Sequence, residues 1–561
     1  SHGFFFWFFP TVIRVAKICT QDPRFIARVK PENLNSRESF DLSIRSFTMS
    51  RYEDLLKALN EVLQDSDITN KVELREALRA QISKPKSAIS YDENYFDSHA
   101  EKYIDFTYEN PTIYHVVDHF SKTLEGAGFT YLSEKKSWSK LEPGKYYTHR
   151  SGSSLAAFVV GPDWTPKRGV GAIGAHIDAL TVTLKPNSNK EKTEGYDLLG
   201  VAAYAGTLEP VWWDRDLGVG GRMLVKDSKA GLVKQKLVDS TPHPIAKIPS
   251  LAPHFGAPSQ GPFNKETQAV PVIGFSDLSK EPEPTDAEKA APLYGKHPLK
   301  LLRYIASTAG VAVEDIVQWD LQLYDIQKGV RGGLDKEFVF APRVDDRVCS
   351  YAAISALIEA DAAGKLASDE FSLVALFDNE EIGSATRQGA KGQLLEAVVS
   401  RVLASEYYTP DASEIAEKLK VVYANTIILS ADVIHLVNPN FANVYLENHK
   451  PIPNKGITIS LDPNGHMATD SVGLALVEEL AKENGDELQY FQIRNDSRSG
   501  GTIGPSISLQ TGARTIDLGI PQLSMHSIRA TLGAKDIGLG AKFFAGFFAN
   551  WRESYDNYGD L

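Results

Sequence analysis

Apolar and polar positions alternate along this chain in two distinct regimes. Just after Met49, Leu55, Leu56, Leu59, Val62 and Leu63 recur at i, i+1, i+4, i+7 and i+8. That spacing predicts one apolar stripe on an amphipathic helix, closed by Asp65-Ser66-Asp67. Leu74, Leu78 and Ile82 predict a second, weaker helix, and Ser83 to Ser87 reads as a linker. Beyond residue 89 the pattern changes to short apolar runs that end in polar, chemically capable residues. Gly169 to Gly174 leads into Ala175-His176-Ile177-Asp178, and Phe371 to Phe377 leads into Asp378-Asn379-Glu380-Glu381. Thr426 to Ser430 leads into Ala431-Asp432, and Arg514 to Ile520 leads, after Pro521, into Ser524-Met525-His526. Helical periodicity lies between such runs, at Val348 to Ala363, Asp411 to Val422 and Val472 to Lys482. Strand–helix alternation predicts an α/β domain with a mostly parallel central sheet and flanking helices. Ligands of such sheets bind beyond the carboxyl ends of the strands, so the four polar clusters should converge.

The stretch from about 181 to 335 breaks this rhythm. It is rich in Pro and Gly, as in Asp239-Ser-Thr-Pro-His-Pro-Ile245 and Glu281-Pro-Glu-Pro-Thr285, and no strand in it ends in a carboxylate cluster. It is read as a second, mainly β unit inserted into the first. The expected organisation is therefore a doubtful leader at 1–48, a helix and linker at 49–88, a catalytic domain at 89–180 and 336–561, and an inserted domain at 181–335.

Composition narrows the function classes. The 561 residues carry 60 Lys+Arg against 72 Asp+Glu, a net charge of −12, with 42% apolar residues. This is the balance of an ordinary globular protein. The acidic excess argues against a nucleic-acid binder and against a polybasic membrane anchor. Cys19 and Cys349 are the only cysteines, too few for a disulfide framework or a Cys-rich zinc site. The apolar run Phe4 to Phe9 is far shorter than the ~20 residues a membrane helix needs. Residues 14–48 hold seven Lys+Arg and few acids, as a transit peptide would, but the first methionine is Met49. Residues 1–48 are accordingly left out of the fold prediction.

Two imidazoles and several carboxylates at strand ends match nitrogen and oxygen ligation of zinc-like ions. His176, Asp345, Glu380, Glu381, Asp432 and His526 together are suited to a two-metal hydrolase, with one carboxylate bridging and one left free as general base. Glu380-Glu381 offers a base beside a ligand, and His176-x-Asp178 offers a ligand beside a carboxylate that fixes its ring. Each piece alone is weak. Glu-Glu pairs usually face solvent, and Asp345-Asp346 reads equally well as a helix cap. Their conjunction at strand ends carries the argument.

The stretches Ala175-His-Ile-Asp178, Arg343-Val-Asp-Asp-Arg347, Phe377-Asp-Asn-Glu-Glu-Ile-Gly-Ser384, Ser430-Ala-Asp432 and Gln522-Leu-Ser-Met-His-Ser-Ile-Arg529 resemble the family of aspartyl aminopeptidases and vacuolar aminopeptidase I, dinuclear zinc exopeptidases. Trp213 to Arg222 and Gly500 to Pro505 match as well. The resemblance runs from about residue 90 to the C-terminus. Ile248 to Gly256 and Asp462 to Asp470 point to the fungal vacuolar branch. It implies two zinc ions per subunit, one held by His176 and Asp432, the other by Glu381 and His526, with Asp345 between them. It implies Glu380 as general base, Asp178 as the residue orienting His176, and His254 as a histidine that reaches a neighbouring subunit's active site. Lys455 matches a lysine used against acidic substrate side chains, although Asn454 stands where the aspartyl branch has histidine. The inserted domain would mediate dimerisation, with dimers assembling into a dodecamer. The helix at 51–65 would act as a propeptide bound by an autophagy-type cargo receptor, giving a vacuolar location reached from the cytoplasm; the alternative is a cytoplasmic enzyme. The substrates implied are peptides with a neutral, Leu-type, or an acidic N-terminal residue. Two rival readings are a catalytically silent self-assembling scaffold, against which the intact ligand set stands, and a carboxypeptidase of the same fold.

Other constellations are weaker. His115 and His119 are spaced i, i+4, but Val116 stands where a zinc-protease helix needs Glu, so packing or capping is expected. His435, three residues after Asp432, reads equally as a support for that ligand or as a surface residue, and His449 and His466, which flank the Lys455 loop, are candidates to line the pocket but are assigned no role. Ser499 to Gly504 lacks the Lys of a phosphate loop, and Gly218-Val-Gly220 completes no dinucleotide fingerprint. Cys349 is expected to be a packed thiol. Asn495-Asp-Ser497 is a formal glycosylation sequon.

Overall fold

The computed structural model describes residues 89–227, 229–276 and 280–561, together with the backbone of a two-residue antiparallel pair, Phe25–Ile26 with Arg45–Ser46. The helices expected between residues 51 and 82 lie outside the described residues.

A nine-stranded mixed sheet forms the centre. Its middle is four parallel neighbours in the order Arg514–Gly519, Ile427–Ala431, Gly171–His176 and Phe371–Phe377. These are the four apolar runs singled out in the sequence. Ser154–Val160 closes onto Phe371–Phe377 antiparallel, and Thr458–Ser460 does the same on Arg514–Gly519 at the other side. Parallel strands covered by helices on both faces are apolar at consecutive positions rather than alternating. Phe371–Phe377 is buried at all seven residues. Its side chains divide by parity: Val374 and Leu376 enter one core, while Leu373, Ala375 and Phe377 enter the other.

The first face is covered by helices Glu93–Glu109, Ile113–Gly126, Val344–Ala362 and Asp536–Asp556. The second is covered by Leu394–Leu403, Ile415–Ala424 and Gly504–Thr511. Asp470 caps helix Ser471–Asn484 by accepting from Gly473 N at 2.7 Å, where the periodicity places a helix start. Cys349 is buried and unpaired in the first core. Among the described residues no helix is long and apolar enough to cross a membrane.

Residues between Thr181 and Asp325 build a second sheet of six strands, antiparallel throughout. Its own core, around Leu217, Met223, Trp319 and Leu323, lies under helix Leu299–Ala309. A five-stranded sheet runs Val330–Gly332, Phe338–Pro342, Arg529–Gly533, Pro521–Leu523, Ile434–His435 and carries the turn that holds His526. Buried Asp325 pairs with Arg215 of its own sheet region at 2.9 Å and, across to the five-stranded sheet, with Arg529 at 3.1 Å.

Candidate metal centre

His176 is the last residue of strand Gly171–His176 and is paired in register with Phe377. Three residues past Phe377, the 3-10 turn Glu380–Ile382 presents both glutamates. Asp432 follows strand Ile427–Ala431 directly. Its backbone lies so close to Gly519 that a Cβ there would meet Asp432 O at 1.6 Å, so only glycine lets the two strand ends approach. Pro342 ends strand Phe338–Pro342, and Asp345 follows at the start of helix Val344–Ala362. Asp345 and Asp346 have non-helical backbone angles there. Rather than capping the helix, Asp345 turns its carboxylate to the two histidines, and the cap position belongs to Arg343. Arg343, Asn379, Ser524 and His526 all adopt φ between 56° and 66°, a left-handed backbone that non-glycine residues rarely take. Such strain concentrates at functional sites.

The predicted residues meet. His176 Nε2 lies 3.1 Å from Asp345 Oδ1, 3.4 Å from Asp432 Oδ1 and 3.6 Å from Glu380 Oε2. His526 Nε2 lies 3.4 Å from Asp345 Oδ2 and 3.5 Å from Glu381 Oε2. Asp345 thus turns one oxygen to each imidazole. The two histidines differ in setting: the side chain of His176 is 1% exposed and that of His526 is 54% exposed, so the second opens to solvent. A pocket beside Asp345 and His526 is lined also by Thr181, Trp212, Gln522 and Ile528.

Asp178 saturates its carboxylate with donors. Oδ1 accepts from His176 Nδ1 at 3.0 Å and from Glu380 N at 3.2 Å, while Oδ2 accepts from Tyr204 Oη at 2.7 Å and from Glu381 N at 3.2 Å. Because the Nδ1 proton of His176 is committed to Asp178, its Nε2 presents a lone pair to the cluster. His176 Nε2, Asp345 Oδ1 and Glu381 Oε1 are buried without a hydrogen-bond partner. They belong to a group whose ligand atoms lie within 4.8 Å of one another. Buried acceptors converging without a donor cost free energy unless a cation fills the space. Nitrogen and carboxylate donors of this kind fit zinc.

The electrostatics express the same demand. Burial opposes a charge on His176, but Asp432, Glu380 and Asp178 outweigh it and hold its pKa well above 6.5. Burial pushes Glu380 up to about 8; His176 pulls it down, while Asp432 and Asp345 add to the rise. Burial, then Asp345, raises Glu381 well above the usual carboxylate range. A cation among these carboxylates removes the penalty on their ionised forms.

Asp346, fully buried, forms a further group with His176 and Asp432, and its Oδ2 accepts from His176 N at 3.3 Å. Sequence reasoning had it only as the neighbour of Asp345. Asn379 stood only inside the run Asp378 to Glu381 with no role of its own, and Tyr204 was missed altogether. In the Arg343 to Arg347 motif, both guanidiniums anchor the loop through carbonyls: Arg343 donates to Thr107 O and Asp325 O, and Arg347 to Ile177 O and Pro111 O.

The remaining sequence candidates are placed apart. His254 stands on the exposed turn Pro253–Phe255. Lys455 is 45% exposed and pairs with Glu487 at 3.3 Å. Asn454 is built into the fold, donating from its backbone N to Asp536 and from its side chain to Glu337 O, and accepting from Lys535 N. His115 is buried, 2.7 Å from Thr112 Oγ1 and 3.4 Å from Asp239 Oδ2, and His119 lies against Phe106. His435 packs on Phe491.

Comparison with known proteins agrees with this chemistry. The profile of the aminopeptidase I zinc metalloprotease (M18) family matches residues 106–548. Vacuolar aminopeptidase 1 of Saccharomyces cerevisiae is 58% identical over 475 residues, which is 84% of this chain and 91% of that one. An aspartyl aminopeptidase of Aspergillus oryzae is 40% identical over 476 residues, 80% of this chain and 95% of that one. The solved structure of the Saccharomyces cerevisiae mApe1 dodecamer superposes with a TM-score of 0.74 at 55% identity, covering 84% of this chain and 100% of that one. With a zinc-type donor set at the strand ends and a family profile spanning most of its length, the chain belongs to the aminopeptidase I zinc metalloproteases of family M18.

Proposed function

We propose that this zinc aminopeptidase works with two zinc ions, one held by His176 and Asp432 and the other by Glu381 and His526, with Asp345 shared. The observation that carries this reading is the carboxylate of Asp345, whose two oxygens face two different imidazoles at 3.1 and 3.4 Å. Zinc bound there supplies Lewis acidity, polarising a peptide carbonyl and making water a better proton donor.

The protein's own groups do the rest. Glu380 is the residue of the pair that stays free of a ligand role, and its Oε2 lies at the edge of the cluster, 3.6 Å from His176 Nε2. It takes a proton from the attacking water and passes it to the leaving amine. Asp178 holds His176 in one tautomer and ties down the backbone of Glu380 and Glu381. The pocket beside solvent-facing His526 is where the N-terminal end of a peptide enters.

The substrate reading is a neutral, Leu-type N-terminal residue. Lys455 is engaged by Glu487 and solvated, which leaves less positive charge to select an acidic side chain. The 58% identity to a protein named vacuolar aminopeptidase 1 supports a vacuolar site of action, and the 55% identical dodecamer supports a dodecameric assembly, within which His254 would serve a neighbouring subunit's site. The unit between 181 and 335 would then provide the assembly contacts.

The test is hydrolysis of Leu-, Asp-, Glu- and Lys-p-nitroanilides, with and without a chelator, alongside zinc analysis of the purified protein. Two zinc ions per chain and chelator-sensitive preference for Leu are expected. Preference for Asp and Glu would return Lys455 to the specificity site, and one zinc per chain would overturn the shared role of Asp345.

A further inference from the structure

The catalytic turn is held from outside its own sheet. Asp178 leaves strand Gly171–His176 and, three residues on, Thr181 begins the six-stranded sheet. There Thr181 pairs antiparallel with Tyr204, the last residue of strand Tyr196–Tyr204. This register returns the Tyr204 ring to the carboxylate of Asp178, although the two are 26 residues apart.

The hydrogen bonds around Tyr204 have a fixed direction. Asn379, at φ 58°, accepts at Oδ1 from Thr386 Oγ1 at 2.9 Å and from Gln388 Nε2 at 3.1 Å. Two donors on the oxygen settle the amide's orientation. Its Nδ2 therefore donates to Tyr204 Oη at 3.1 Å, and the hydroxyl proton is left for Asp178 Oδ2 at 2.7 Å. Asp178 in turn accepts from His176 Nδ1 and from the backbone of Glu380 and Glu381. A chain of donors thus runs from Thr386 and Gln388 through Asn379 and Tyr204 to the residue that sets the tautomer of His176.

We propose that Tyr204 is a positioning residue for the zinc centre, supplied by the six-stranded sheet, and that it acts through Asp178 on His176 and on the Glu380–Glu381 turn. This rests on the roles given above to His176, Glu380 and Glu381. The six-stranded sheet is then part of the catalytic apparatus of its own chain, in addition to any role in assembly.

The experiment uses the full zinc-loaded chain and the variants Tyr204→Phe, Asp178→Asn and the double variant. It reads kcat and KM on Leu-p-nitroanilide, the rate of zinc loss to a competing chelator, and the melting temperature. Removing the carboxylate that orients a metal-ligating histidine costs roughly 10- to 100-fold in activity or metal retention, the loss expected of Asp178→Asn. Tyr204→Phe, one hydrogen bond further out, should lower kcat by a smaller factor and speed zinc loss, while KM and the melting temperature stay near those of the parent. The double variant should be no worse than Asp178→Asn alone, because Tyr204 acts only through Asp178. Unchanged kcat and zinc retention in Tyr204→Phe would overturn the proposal, as would additive losses in the double variant.

Should Tyr204→Phe lower the melting temperature as well, Asn379→Asp keeps the phenol and tolerates the left-handed backbone. A carboxylate there draws the hydroxyl proton away from Asp178, so the same zinc loss is expected with the ring still packed. Full retention of zinc in that variant would again overturn the proposal. Failure of the general-base assignment shows separately, as normal turnover in Glu380→Gln, and leaves the zinc-loss readings intact.

Discussion

In the nine-stranded sheet, strand Phe371–Phe377 is buried at every residue, whereas strand Val233–Asp239 of the six-stranded sheet exposes its first four. The first sheet is covered by helices on both faces, so its central strands are mainly apolar and most of their charged residues lie at the ends. Those ends hold His176, Glu380, Glu381 and Asp432. The second sheet mixes exposed and buried positions along its strands, so its polar residues are spread and none announces a site. Yet it supplies Tyr204 to the carboxylate of Asp178 and Asp325 to the contact between sheets. A sheet whose chemistry is concentrated at its strand ends advertises function; a sheet that lends single side chains conceals it.

The largest effect that sharpens this contrast is on the strand-end chemistry itself. Glu380→Gln should lower turnover by roughly 10²- to 10⁴-fold, the usual worth of a general base, with zinc content and melting temperature kept. Normal turnover measured with Leu-p-nitroanilide would remove Glu380 from that role.

Next come the two cores. Phe371→Ala, in a strand with no exposed residue, should cost about 3–5 kcal/mol in denaturant unfolding. Asp325→Ala leaves Arg215 and Arg529 without their shared carboxylate. Breaking a buried pair costs about 3–5 kcal/mol; the part-exposed arginines, 28% and 17%, place the expected loss at the lower end. If Asp325→Ala unfolds in two separated transitions while Phe371→Ala unfolds in one, Asp325 is what couples the sheets.

A smaller effect is read in pH. Glu370 is buried, and burial raises its pKa from 4.5 to about 8. An acid whose pKa is higher folded than unfolded loses stability as pH rises from the unfolded to the folded value. Glu370→Gln has no such loss, so its melting temperature should gain on that of the parent between pH 5 and pH 8 and run parallel above. A constant difference across that range would show that Glu370 ionises freely. Smallest of all, Lys234→Ala on the exposed end of strand Val233–Asp239 should change stability by less than about 0.5 kcal/mol. A larger loss would mean that this edge is covered in the assembled enzyme.

Most of the proposed metal centre was legible because most of its residues sit where apolar runs stop, and strand ends of a parallel sheet converge by topology. Five separated segments could be joined without any contact information. Asp346 was half legible, as the second member of an Asp pair whose first member was chosen. Tyr204 carried no signal: its place depends on the Thr181–Tyr204 register, and a tyrosine at the end of a strand is ordinary. Helix Asp536–Asp556 was also illegible. It buries Phe543, Phe544, Phe547, Phe548 and Trp551, so it is apolar around much of its circumference and lacks the one-sided stripe that marks a surface helix.

Local order along the chain was thus enough to determine the parallel core and the strand-end donors, since these follow from side-chain periodicity and from residue type at run ends; the family rested on the resemblance of whole motifs. Only the tertiary structure decided which outside groups complete the centre. Asp325 meets Arg215 and Arg529, and Tyr204 meets Asp178 and Asn379, through sheet register and packing between distant segments. Those depend on the sum of many small contacts across the chain, and no short stretch of sequence encodes them.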